Sequence, residues 1–213
     1  MSGSQQSTWL KYANLQMASE AFLDRYLSGA ISFQEALIRG NGHSSTFTST
    51  QAAEFAAQYK VIAHLPNTRS GFSGTLFQDN DTKKYTLSFR STEFVEDVIA
   101  DSVGTNEGIS QYGWAFGQIA DMEQWWKILK AANPDLLTQG VTVTGYSLGG
   151  HLATAFAQLR AEENGGVPPT YLQHIYTFNG AGTGGINSGH SLTDVMQLFV
   201  DVWKKGDEPA WLV

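Results

Sequence analysis

The stretch that most restricts the fold is Val141, Thr142, Val143, Thr144, Gly145, Tyr146, Ser147, Leu148, Gly149, Gly150, His151. Its first four residues form a short β-branched run of the kind found in buried strands. Beyond the run, Leu148, Leu152, Phe156 and Leu159 return at helical spacing. Strand has to become helix within a few residues. A serine lifted on so sharp a turn brings the residues two positions before and after it close together, so both must lack a side chain. Gly145 and Gly149 meet that need, and Gly145-x-Ser147-x-Gly149 then reads as a nucleophile elbow. The helix opening at Leu148 would aim its free amides and positive dipole end at an oxyanion forming beside Ser147.

That helix pattern stops at Gly165 and Gly166, and an apolar strand, Leu172 to Phe178, follows at once. Strand, helix, strand with so short a first strand is a right-handed βαβ unit, which implies a parallel sheet. Upstream, Phe72 to Gln78 and Tyr85 to Arg90 flank the polar residues Asp79, Asn80, Asp81 and Thr82, the pattern of a hairpin. Helical periodicity marks Trp9 to Leu27 as a helix of about five turns, and a second helix starts near Ser49 or Thr50. A third runs from Ser110 to Ala132 and closes at Asn133 and Pro134. Downstream, Ser191 with Asp194 forms a capping box ahead of Leu192, Val195, Phe199, Val202 and Trp203 on one helix face. The expected fold is α/β and α/β-hydrolase-like: a mostly parallel central sheet, helices on both faces, and the elbow after a central strand.

At 213 residues with no long linker, residues 1–213 are expected to form one domain with its own core. The absence of cysteine excludes disulfides, thiolate metal sites and cysteine nucleophiles. A formal charge of −7, with no Lys or Arg cluster to offset it, argues against nucleic acid as a partner. No 18-residue apolar run or amino-terminal export signal is found, which leaves localisation open, including secretion by a signal that is not cleaved. No motif implies a metal or organic cofactor, although Asp97 and Asp101 are spaced closely enough for a surface calcium.

Two segments carry a family resemblance. Leu87-Ser88-Phe89-Arg90-Ser91-Thr92-Glu93 resembles the Phe-Arg-Gly-Thr segment of the class 3, fungal-type lipases of the α/β-hydrolase superfamily, and the expected kind is bacterial lipase- or phospholipase-like. Gly145 to Gly150 resembles their Gly-x-Ser-Leu-Gly-Gly elbow, and the likeness extends from about Phe72 to Gly182, including the strand end Tyr176-Thr177-Phe178-Asn179. The resemblance implies a serine ester hydrolase acting on lipids. Thr92 would then be the first oxyanion residue, and Leu148 would supply the second amide. Ser91 stands where the family has glycine. Arg90 is expected to hold the loop, with Glu93, Glu96 and Asp97 as nearby partners.

The family order is Ser, then Asp, then His. Gly206-Asp207-Glu208-Pro209 resembles the Gly-Asp-Pro-Val segment that carries the family's aspartate, which marks Asp207 as the acid. The competing reading of the same residues is a helix C-cap at Gly206 and a solvated Asp207. Three histidines follow Ser147. His151 lies one turn into the elbow helix and is expected to pack rather than react. His174 lies within a strand and is expected to be half-buried. His190, in a Gly-rich loop at the same edge of the sheet as the elbow, is the one candidate base within these residues, yet it precedes Asp207. The chain therefore reads either as the amino-terminal part of a longer hydrolase or as a short member with an altered triad. The expected activity is hydrolysis of carboxylic esters, with transient contact to a lipid surface. The alternative is a degenerate hydrolase fold that serves as a binding or interaction module. Six Trp, eight Tyr and 12 Phe suit acyl chains but equally suit a core.

Overall fold

The computed structural model describes residues 3–41, 46–91, 115–183 and 191–203. In chain order these form α1 (Gly3–Ser19), α2 (Asp24–Leu27), α3 (Phe33–Arg39), α4 (Ser49–Gln58), β1 (Tyr59–Leu65), β2 (Gly74–Asp79) and β3 (Tyr85–Phe89). There follow α5 (Phe116–Ala132), α6 (Leu136–Gln139), β4 (Val141–Tyr146), α7 (Leu148–Glu163), β5 (Leu172–Phe178) and α8 (Leu192–Trp203).

The strands lie in the order β1-β2-β3-β4-β5. β3, β4 and β5 are parallel, whereas β1, β2 and β3 pair antiparallel. The centre is thus parallel, as the βαβ pattern requires, and an antiparallel flank is added on one side. Both faces of β3 are covered, and all five of its residues are buried. On one face Leu87, Phe89 and Val143 pack with Trp126 of α5 and Phe156 of α7, whose rings meet edge-on at 5.1 Å. On the other, Phe77 joins Leu15 of α1, Leu37 of α3 and Phe55 of α4. The expected α/β-hydrolase-like architecture, with helices on both faces, is what forms.

Local chemistry explains most boundaries. Thr48 and Gln51 make a reciprocal capping box that starts α4. Asp79 closes the β2–β3 hairpin by accepting the amides of Asp81 at 3.0 Å and Thr82 at 2.9 Å. Ser191 and Asp194 cap α8 as the sequence predicts, each backbone amide bonding the other's side chain at 3.1 Å.

Besides the one-turn α6, three elements depart from the sequence reading. The expected helix from Trp9 to Leu27 breaks after Ser19, because Ser19 and Glu20 turn inward onto β3. α3 was not foreseen, although Ser32 caps it by accepting from the amide of Glu35. β1 was not foreseen either, and it starts at Tyr59, directly after the last residue of α4.

β1 also carries a titrating group. His64 bonds Thr75 of β2 through Nδ1 at 2.9 Å, and burial, reinforced by the charge of Arg90, lowers its pKa from 6.5 to about 4. As pH falls below 6.5 the unfolded chain takes up a proton that the folded chain refuses, so stability declines from pH 6.5 down to about 4. The full loss would be about 3 kcal/mol. Urea midpoints measured from pH 7 to pH 4.5 should fall more steeply for the wild type than for His64→Gln. Equal slopes would show that His64 does not carry the effect.

Candidate active site

β4 runs between β3 and β5, with Gly145 paired to Phe89 on one side and Thr177 on the other. The chain then turns so sharply that Ser147 adopts φ 52° and ψ −117°, a left-handed conformation that costs a residue with a Cβ of order 1–3 kcal/mol. The surroundings hold it there. The Ser147 amide donates to the carbonyl of Phe178 at 3.0 Å, and its own carbonyl accepts from the amides of Gly150, His151 and Ala181 at 3.0, 3.2 and 3.0 Å.

The glycine requirement read from the sequence is met in space. A Cβ on Gly145 would lie 2.1 Å from the carbonyl oxygen of Gly149, and one on Gly149 would lie 2.3 Å from that of Phe89. Gly150 faces the Cα of Gly180, 2.7 Å from where its own Cβ would stand. The first turn of α7 is therefore wedged between the ends of β3 and β5. Ser147, partly exposed, stands at the carboxyl ends of the parallel strands, where open α/β sheets bind ligands. The amides of Leu148 and Gly149 lie in the first helical turn, which has no intrahelical acceptors for them.

His151 is fully buried, and both ring nitrogens meet backbone. Nε2 accepts from the amide of Ala115 at 3.2 Å, so the proton sits on Nδ1, which faces the carbonyl of Gly182 at 3.1 Å. Burial lowers its pKa and keeps it neutral. It braces the 178–182 loop against α7 and is not offered to Ser147 as a base. His174 differs from expectation, being exposed rather than half-buried, because β5 is the outermost strand of the described sheet. Thr92, His190 and Asp207 lie outside the described residues, as do Asp97 and Asp101. The structure thus places Ser147 and Leu148 beside the end of β3, and the described chain continues from there to Ser91, the residue before Thr92.

Glu20 is a contributor that the sequence did not single out. It pairs with Arg90, while Glu93, Glu96 and Asp97, the partners the local sequence offers, lie outside the described residues. A cavity of about 410 Å³ between α1 and α4, lined by Lys11, Phe55 and Tyr59 among others, includes none of the elbow residues. Among the described residues no cluster of His, Asp or Glu is placed to hold a metal ion, and no helix is long and apolar enough to cross a membrane.

No family model and no curated protein matches this chain. Solved structures do. A lipase from Rhizopus microsporus var. chinensis superposes with a TM-score of 0.52 at 19% identity, over 95% of this chain and 64% of its own. Lipase II from Rhizopus niveus gives 0.55 at 18%, over 95% and 69%. A triacylglycerol lipase whose catalytic centre is described as a serine protease triad gives 0.52 at 18%, over 83% and 62%. The chain has an α/β-hydrolase fold. It spans less than two thirds of the length of the first and third of these lipases.

Proposed function

We propose that the protein is a serine-dependent carboxylic ester hydrolase that acts on lipid esters, of lipase or phospholipase type. The observation that carries the proposal is Ser147, held at positive φ by four backbone hydrogen bonds at the mouth of the parallel sheet and at the start of α7. Such strain persists only where the surroundings over-determine it, and it is common at reacting residues. The lipases of similar fold support the lipid substrate.

In this mechanism the Oγ of Ser147 attacks the ester carbonyl while a base takes its proton. The negative charge that develops on the carbonyl oxygen is met by the amide of Leu148 and by the amide and hydroxyl of Thr92. Collapse expels the alcohol, which receives the proton, and leaves an acyl group on Ser147. Water then attacks, with the same base accepting its proton, and frees the acid. Asp207 orients the base. The base is a histidine, with His190 as the candidate inside this sequence. No metal or cofactor enters. Substrate contact is made at a lipid surface.

A second reading, a binding or interaction module on a degenerate hydrolase fold, is favoured by one observation: His151, the histidine nearest the serine in sequence, is committed to backbone. A fluorophosphonate probe separates the two. One label on Ser147 of the folded protein is expected, and no labelling, with Ser147→Ala indistinguishable from the wild type, favours the module. Thr92→Val, which removes the hydroxyl and retains the amide, should lower kcat on a short-chain ester by about 10² with KM nearly constant. Full turnover in that variant would remove the Thr92 hydroxyl from the mechanism.

A further inference from the structure

β3 leaves the sheet at Phe89, and the next two residues are held from behind by the end of α1. Glu20, 2% exposed, lies in the turn just after Ser19. Its Oε1 accepts the backbone N–H of Ser91 at 2.8 Å and the side-chain amide of Gln16 at 2.5 Å. Its Oε2 lies 3.7 Å from Nε of Arg90, itself 4% exposed, and the Phe22 ring covers the guanidinium at 5.0 Å. Beside this contact the hydroxyls of Ser19 and Ser88 meet at 2.9 Å. From the opposite direction α7 presses on the same backbone, since a Cβ on Gly149 would stand 2.9 Å from the carbonyl oxygen of Arg90.

We propose that Glu20 is a positioning residue of the site: by holding the Ser91 N–H it fixes the backbone of residues 89–91, which precedes Thr92, against the first turn of α7. This rests on the hydrolase reading of Ser147 and Thr92. A carboxylate just past the carboxyl end of a helix is opposed by the helix dipole, and a buried ion pair is often no more stabilising than apolar residues of the same volume. Stability is therefore a weak reason for this arrangement, and geometry is a better one. An amide donating to a carboxylate makes a short, directional bond, and it lies one residue before the proposed oxyanion donor. Displacing a group in such a site by about 1 Å can cost about 10² in rate. With α7 seated on the carbonyl side of residues 89–90 and Glu20 gripping the amide of residue 91, these three residues are fixed from two directions before substrate arrives.

Glu20→Asp keeps the charge near Arg90 but withdraws the acceptor from Ser91, whereas Glu20→Gln keeps an acceptor in place and loses the charge. Turnover of p-nitrophenyl butyrate, per mole of folded enzyme and well below the melting temperature, should fall about 10- to 100-fold in kcat for Glu20→Asp, with KM within about twofold. Glu20→Gln should fall less, by under about tenfold. A residue serving only the ion pair would give the reverse order. Glu20→Asp with kcat within about twofold of the wild type, or a change confined to KM, overturns the inference. Should either variant fail to fold, amide hydrogen exchange at Ser91 in the wild type decides: protection is expected, and exchange at the rate of an open loop overturns it. A wild type with no turnover and no label on Ser147 fails the hydrolase reading, and this inference with it. An active wild type beside an unchanged Glu20→Asp fails the inference alone.

Discussion

Ser147→Gly is expected to abolish ester turnover and at the same time to raise the melting temperature. Removing the nucleophile removes the acyl-enzyme route, so kcat should fall by about 10⁴ or more. The gain in stability comes from the backbone. Ser147 is held at φ 52°, where a Cβ is crowded and glycine is not. Relief of about 1–3 kcal/mol is offset by the roughly 0.5–1 kcal/mol that glycine loses on being ordered, leaving a net gain of about 0.5–2 kcal/mol. For a chain of this size that is a rise of roughly 2–6 °C. Ser147→Ala is the control, because it loses the same hydroxyl but keeps the Cβ. It should match the glycine variant in lost activity and the wild type in melting temperature. Calorimetry of the three proteins, with fluorophosphonate labelling of each, checks both halves. If Ser147→Gly melts no higher than Ser147→Ala, the elbow is not strained by its Cβ.

The same steric demand explains why the elbow could be read from the sequence. Close approach of α7 to β3 leaves an imprint at fixed spacing, Gly145 and Gly149 around Ser147, and no distant residue is needed to recognise it. β4 and α7 were legible for a related reason: they are buried, so their apolar patterns are continuous. β5 is mostly exposed, with only Leu172 buried, and was read instead from its run of Ile175, Tyr176, Thr177 and Phe178 directly after the helix stop. β1 was not, because most of its residues are half-buried, and a strand of that kind lacks both the clean alternation of a one-sided sheet and the unbroken apolar run of a central one. Glu20 was invisible for the strongest reason. In the sequence it is one polar residue in a helical pattern, and its partners Arg90 and Ser91 lie at the far end of a hairpin. The charges adjacent to Arg90 lie outside the described residues, and among the described residues the turn after α1 supplies Glu20. The acid and base had no local steric signature at all, since a triad is defined by where loops meet. Their assignment rested on the resemblance of Gly206-Asp207-Glu208-Pro209 and on the loop position of His190.

The largest loss of stability is expected from Gly145→Ala and Gly149→Ala. In both, the new methyl would meet backbone, 2.1 Å from the carbonyl oxygen of Gly149 in one case and 2.3 Å from that of Phe89 in the other. A side chain in the way could rotate aside. These carbonyls belong to the first turn of α7 and the last residue of β3, so relief requires the helix to separate from the sheet. That would open the core beneath Leu148, Leu152 and Phe156, which are 3% exposed or less. The cost should exceed about 4 kcal/mol, in the range that single substitutions seldom reach. Gly165→Ala supplies the contrast. Unlike Gly145 and Gly149 it sits at positive φ, 71°, but nothing lies within 4 Å of its Cβ position, so only the conformational cost of about 1–2 kcal/mol applies. Gly150→Ala should fall between them. Its methyl would meet the Cα of Gly180 at 2.7 Å, and the 178–182 loop can retreat where a sheet cannot. That retreat would break the bonds from Ala181 to the Ser147 carbonyl and from His151 to Gly182. The expected result for Gly150→Ala is a loss of about 1–3 kcal/mol with a disproportionate fall in kcat, because what moves is the support of the nucleophile and not the core. Urea unfolding of the four glycine variants should rank them Gly165 least, Gly150 next, and Gly145 and Gly149 most. If Gly145→Ala proves no costlier than Gly165→Ala, the close approach of α7 to the sheet, and with it the elbow, is wrong.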